Sequence, residues 1–232
     1  MSSIFAPFRV VARVVRRGFQ MHINRLQGQA MSTPPASQPT VERVYDIALS
    51  LFARHGYDGM SLSQLASEVG IQKPSLYNHI DSKQALFMAL VERVEGALFD
   101  ALDASLARHA GADVHTRLFE LVCDMSRFIL VEAQGVFYKR YLLFPPEPLA
   151  ADVRAVTGRG EARINAALHE IYIQGQREEV WPDLGERGFL DAFYCLMDGL
   201  FSERFMYSVD EYDRRVASIW PIFWSGLTAA RD

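Results

Sequence analysis

Cysteine is scarce in this chain, and metal-ligand spacing is missing from it. Its two cysteines, Cys123 and Cys195, lie far apart with no CxxC pair and no Cys/His set around them. That excludes a disulfide scaffold and a zinc module, and leaves two reduced thiols in a cytoplasmic protein as the expectation. No apolar run approaches the roughly 18 residues of a membrane span, so no membrane partner is expected. Strand-like alternation of apolar and polar residues is absent, as are internal repeats. No GxSxG, Walker loop or paired-histidine motif occurs, and His109, His115 and His169 are scattered. Neither an enzyme, nor a cofactor, nor a metal is therefore expected. Acid is missing from residues 1–40, which hold Arg9, Arg13, Arg16, Arg17 and Arg25.

What is present is helix. Half of the 232 residues are hydrophobic, enough for one or two cores. The formal net charge of −4 is uneven, because beyond residue 40 the chain carries 19 Lys and Arg against 28 Asp and Glu. Such a balance argues against a general nucleic-acid coat protein. It does not exclude a site-specific binder, for which only the contacting surface must be basic. Three readings compete for the apolar, arginine-rich residues 1–30: an amphipathic arm touching DNA or membrane, a signal peptide broken by Arg13, Arg16 and Arg17, or a stretch upstream of a true start at Met31. Residues 31–40 have linker composition.

Periodicity places a first helix after Thr40, with Val41, Val44, Tyr45, Ala48, Leu51 and Phe52 as its buried stripe and Gly56 as its stop. Ser61 and Gln64 have capping-box spacing. Leu62, Leu65, Ala66 and Val69 then form an apolar stripe, and Gly70 ends the helix. A second short helix follows, with Pro74 in its first turn, and runs to about Ile80. Gln72 is a weak cap for it. Two short helices with a tight turn between them form the geometry that lays the second helix in the DNA major groove. A long helix is expected from residues 81–82 to about 108, carrying Leu86, Phe87, Leu90, Val94, Leu98 and Leu102. Helical patterns continue over Leu118 to Ile129, from Gly135 to Phe144, and from Leu149 to Gln176, with a kink or exposed loop near residues 157–160. Two final helices are rich in large apolar groups: Phe189, Phe193, Leu196 and Leu200 beside Leu190, Tyr194, Met197 and Phe201, then Tyr212, Val216, Ile219, Trp220, Phe223 and Leu227. The fold class is all-α: an N-terminal helix-turn-helix domain over residues 41–88 and a helical domain over residues 89–232.

The run Leu76-Tyr77-Asn78-His79-Ile80, then Ser82-Lys83 and Leu86-Phe87, resembles the DNA-binding domain of the TetR family of bacterial transcriptional repressors. Ala48, Leu51-Phe52, Gly56-Tyr57-Asp58, Leu65-Ala66 and Val69-Gly70-Ile71 fit the same pattern in order. The resemblance covers residues 41–90. It implies that Lys73, Pro74, Ser75 and Asn78 face bases, and the chemistry suits them. Lysine donates to guanine, asparagine pairs with adenine, and proline offers an apolar face to a thymine methyl. By the same resemblance Tyr77, His79 and Lys83 meet phosphates, and Ser61, Ser63 and Gln64 open the first helix of the pair toward phosphate or one base. The competing readings are packing for Tyr77, a structural histidine for His79 and a plain helix cap for Ser61. Residues 41–90 hold four basic and five acidic side chains, which leaves little nonspecific affinity for DNA.

The resemblance further implies that the larger half binds a small molecule and that the last two helices dimerise. From the aromatic and methionine set, Phe128, Phe137, Tyr138, Tyr141, Tyr172, Phe193 and Met197 are the candidate lining of an apolar pocket, with an ordinary aromatic core as the competing reading. Phe144, Trp181, Tyr194 and Phe201 extend the set. Arg127 and Arg140 are candidate anion contacts or merely solvated. The expected protein is a cytoplasmic homodimeric repressor on a palindromic DNA operator, released by an apolar or aromatic effector. The alternative is a helical small-molecule-binding protein whose DNA-binding domain is vestigial.

Overall fold

The computed structural model describes residues 40–129, 132–181 and 184–229; the arginine-rich segment and the linker before residue 40 lie outside the described residues. Every regular element among these residues is helical. The first three helices are α1 (Thr40–Gly59), α2 (Leu62–Val69) and the single turn α3 (Lys73–Leu76). The long α4 (Lys83–Arg108) leads out of them. The larger half adds α5 (Val114–Ile129), α6 (Glu132–Leu143), a 3-10 turn (Glu147–Leu149), α7 (Ala150–Arg177), α8 (Glu186–Met206) and α9 (Val209–Thr228).

The apolar stripes explain the packing. Val44, Ala48, Leu51 and Phe52 of α1 are buried, as is the whole expected stripe of α4. Val41, expected in the core, is 38 % exposed in the first turn of α1, which begins at Thr40. Gly56 breaks α1 at φ 73°, and one more turn follows to Gly59. α1 lies along α6, and its Phe52 meets Phe87 of α4 and Phe137 of α6 at ring distances of 5.1 and 6.1 Å. This aromatic joint ties the N-terminal helices to the larger half.

One expectation fails because two helices approach closely. Residues 157–160 form no kink; α7 runs unbroken through them. Gly160 is there because α4 crosses closely: a Cβ on it would lie 2.7 Å from Glu95 Oε2 and 3.2 Å from Phe99 Cζ. Polar sequence in that turn marks its solvent face rather than a break. In α9, Pro221 sits inside a continuous helix, with Tyr212, Val216, Trp220 and Leu227 buried but Ile219 and Ile222 exposed.

Candidate nucleic-acid interface and effector cavity

The helix pair is built from its caps. Ser61 Oγ accepts the Gln64 backbone N–H at 3.1 Å and starts α2. The return half of the capping box is not made, because the Gln64 side chain donates instead to Glu68 Oε1 at 3.1 Å. Gly70 adopts the left-handed conformation that closes α2, and its N–H bonds back to Ala66. Arg43 of α1 donates to the Val69 carbonyl at 2.6 Å and so fixes that end of α2 from outside. Gln72 caps α3 by backbone conformation alone, with no side-chain bond.

α3 is shorter than expected. Only Lys73–Leu76 is α-helical, and the chain continues to Ile80 through turn-like bonds such as His79 N–H to Leu76 O at 2.9 Å. The anchors are nevertheless clear. Leu76 and Ile80 are buried against the helices below, whereas Lys73, Pro74, Tyr77 and Asn78 are exposed on one surface. Tyr77 keeps 51 % of its surface exposed, so packing does not account for it. Ser75 and His79 are half-buried at the edge, and Ser61 and Ser63 are exposed at the start of α2 with Gln64 half-buried beside them. Lys83, one turn further on, rests its Nζ 4.5 Å from the centroid of the Tyr57 ring. Ser82 Oγ caps α4 through the Ala85 N–H at 3.0 Å.

The candidate pocket residues divide into three places. Phe128, Tyr138, Phe193 and Met197 converge with Leu98, Met125, Ile164 and Phe201 around a cavity of about 90 Å³. Phe137 and Tyr141 face the other way and pack as buried core in the joint to α1 and α4. Tyr172 is remote from the cavity. Its ring stacks on Trp181 and lies against Phe189, and its hydroxyl donates to the Leu184 carbonyl at 2.9 Å. Trp181 in turn occupies the space that Gly175 leaves, since a Cβ on Gly175 would lie 1.9 Å from Trp181 Cζ2. That cluster pins the connector between α7 and α8.

Three polar links that the sequence did not reveal leave α6, and of these only the Lys139–Asp198 pair borders the cavity. Tyr141 Oη donates to Glu95 Oε1 at 2.8 Å, and Glu95 is buried, with 3 % of its surface exposed. Burial pushes the Glu95 carboxyl above its ordinary value, against the opposing effect of the Tyr141 hydrogen bond. Burial, with the Glu95 charge, also raises the Tyr138 hydroxyl. Lys139 pairs with Asp198 at 2.6 Å, its ammonium 4.2 Å from the Phe201 ring centroid. Arg140 donates from α6 to two carbonyls of α1, to Ala53 at 2.7 Å and Arg54 at 3.2 Å. These carbonyls lie just before the Gly56 break in α1. Among the described residues no group of three or more His, Cys, Asp or Glu is placed to hold a metal ion, and no helix is long and apolar enough to cross a membrane.

Comparison with known proteins supports the reading of the N-terminal helices. Residues 44–90 match the family described as bacterial regulatory proteins, tetR family. The biofilm operon icaADBC HTH-type negative transcriptional regulator IcaR of Staphylococcus epidermidis is 28 % identical over 135 residues, covering 57 % of this chain and 67 % of that one. Its counterpart in Staphylococcus aureus is 31 % identical over 100 residues, 40 % of this chain and 52 % of its own length. The chain thus spans only about half of several curated relatives that it matches. Among solved structures, the fatty acid degradation regulator FadR from Bacillus halodurans superposes with a TM-score of 0.64 at 17 % identity, over 84 % of this chain and 99 % of that one. AibR in complex with isovaleryl coenzyme A and operator DNA superposes with a TM-score of 0.61 at 16 % identity, over 82 % and 98 %. At these identities the structural likenesses establish the fold alone.

Proposed function

We propose that this chain, whose residues 44–90 match the bacterial regulatory proteins of the tetR family, is a DNA-binding transcriptional repressor released by a small molecule. One observation carries the reading. Lys73, Pro74, Tyr77 and Asn78 stand exposed on one surface of a turn whose apolar side chains, Leu76 and Ile80, are fully committed to the core. Exposed lysine, asparagine and tyrosine at the tip of a helix pair suit base-edge and phosphate contact. The IcaR relatives are negative regulators by description, which favours repression.

The repressor acts as a two-fold dimer through α8 and α9. Ile219, Ile222 and Met206 are large apolar groups left exposed there, and burying them against a second copy gives an isologous interface. Two reading helices about 34–36 Å apart then match successive major grooves of a near-palindromic operator. The described helices divide by role into a DNA head (41–88) and an effector and dimer body (89–232). Binding the chromosome places the protein in the cytoplasm. Release follows as a population shift: the effector binds better to the form whose reading helices are wrongly spaced.

The test is operator binding. DNA upstream of the gene is footprinted with the purified dimer at two salt concentrations. A symmetric footprint with two half-sites, weakening as salt rises, supports the reading. Absence of any salt-dependent preference for a specific fragment would leave the vestigial-domain alternative instead.

A further inference from the structure

α6 sends four consecutive side chains to four places. Tyr138 enters the aromatic cavity, Lys139 pairs with Asp198, Arg140 reaches α1, and Tyr141 reaches the buried Glu95. Two spaces flank Lys139. Inside lies the smaller, partly open cavity of about 90 Å³. Outside lies an open groove of about 500 Å³, lined by Val136, Lys139, Arg140, Leu143, Phe144 and Phe201. Lys139 and Phe201 line both, so the ammonium resting on the Phe201 ring is the wall between them.

We propose that this wall is a gate, and that cavity and groove together bind an amphipathic anion: a hydrocarbon chain ending in a carboxylate or phosphate that Lys139 and Arg140 hold. The cavity alone is smaller than the ~300–1,000 Å³ of small-molecule sites, whereas the two spaces joined fall within it. Both are walled mainly by apolar groups, and Leu143 and Phe144 at the rim are 62 % and 77 % exposed, an uncovered surface for a chain to lie against. The charge at the boundary is cationic. Its counter-charge, Asp198, has a side chain that is 74 % exposed, so water solvates it when Lys139 leaves. Arg140 presently donates to neutral carbonyls, and an anion is the stronger acceptor. An anion bound there competes with α1 for Arg140. That last consequence rests on the repressor reading above; the binding itself does not.

The experiment measures binding to the full-length dimer by calorimetry without DNA, so its outcome is independent of whether the operator is found. Dodecanoate, dodecanoyl-coenzyme A, dodecanol and dodecylamine are compared below their micelle concentrations. At least one of the two anionic probes binds saturably and about tenfold or more tighter than dodecanol, the scale of one charge-assisted hydrogen bond. Preference between carboxylate and thioester tells whether the anionic end is a carboxylate or a phosphate, and either fits. Lys139→Met erases the preference over dodecanol, and Asp198→Asn, which releases Lys139, strengthens it. The two variants move affinity in opposite directions, which general unfolding does not do. The proposal is overturned if dodecanol matches both anions, if dodecylamine binds best, if none of the probes binds, or if Lys139→Met keeps the full preference.

Discussion

Arg140 Nε lies 2.7 Å from the carbonyl oxygen of Ala53, joining the last turn of α6 to α1 just before the Gly56 break. This bond and its neighbour to Arg54 are the polar part of a joint that is otherwise aromatic. The segment bearing Lys73 and Asn78 follows α1 and α2 in the chain, and the proposed release runs from α6 through this joint. Arg140→Met removes the tie while keeping the length of the side chain. Operator affinity measured with and without effector is expected to converge, the coupling falling from about 1–3 kcal/mol toward zero. Coupling of unchanged size in Arg140→Met would mean that the aromatic joint transmits the change alone.

The second prediction concerns Glu95 and Tyr141. A carboxyl buried between α4, α6 and α7 with its pKa raised keeps a proton in the folded state that the unfolded chain has already given up. Stability contributed by Glu95 is therefore present below the unfolded value of 4.5 and is lost as pH rises through the elevated folded value. Denaturation of Glu95→Gln across that window should lose this part of the pH slope. Tyr141→Phe leaves the acceptor without its donor and should cost about 1–3 kcal/mol. In Glu95→Gln the same substitution should cost less, and a double-mutant cycle with no interaction energy would show that the hydrogen bond is incidental.

A third prediction separates reading from grip. Lys73→Ala and Asn78→Ala should each relax preference at a particular base pair by about 1–3 kcal/mol. Lys83→Ala should weaken binding to every sequence alike and lower the salt slope by about one. Because Lys83 lies over the Tyr57 ring, its removal should also lower folding stability by about 0.5–1 kcal/mol, which the chemical denaturation midpoint would report. A change of base preference in Lys83→Ala would reverse the assignment.

Periodicity and punctuation made the architecture legible. Ser61, Gly70 and Pro74 mark their own positions chemically, and the stripe of α4 is buried as written. What a stripe cannot say is what it packs against. Phe137, Tyr138 and Tyr141 look alike along the chain, yet Tyr138 turns to the cavity and the other two to the joint with α1. Composition groups Tyr172 with them, but its partners are Trp181 and Phe189. Polarity at residues 157–160 suggests a kink or loop, because the close approach of a second helix at Gly160 leaves no trace in local sequence. Arg140 offered two sequence readings, anion contact or solvation, and its α1 carbonyls lie more than eighty residues earlier.

The last prediction uses cavity size. Phe137→Ala and Tyr141→Ala are unsuitable probes of an effector site, because both residues are core of the joint and their loss would damage the head. Phe193 is 2 % exposed and lines the cavity itself. Phe193→Ala should cost about 3–5 kcal/mol in the free protein by enlarging the void. An apolar effector binds only the folded chain, so saturating it should restore part of that loss and raise the melting temperature more in the variant than in the parent. Phe189→Ala, cut from the Trp181 cluster, should lose comparable stability and gain nothing extra from the same effector. Equal rescue of both variants would mean that the compound binds elsewhere, and rescue of neither would mean that the space beside Phe193 is packing alone.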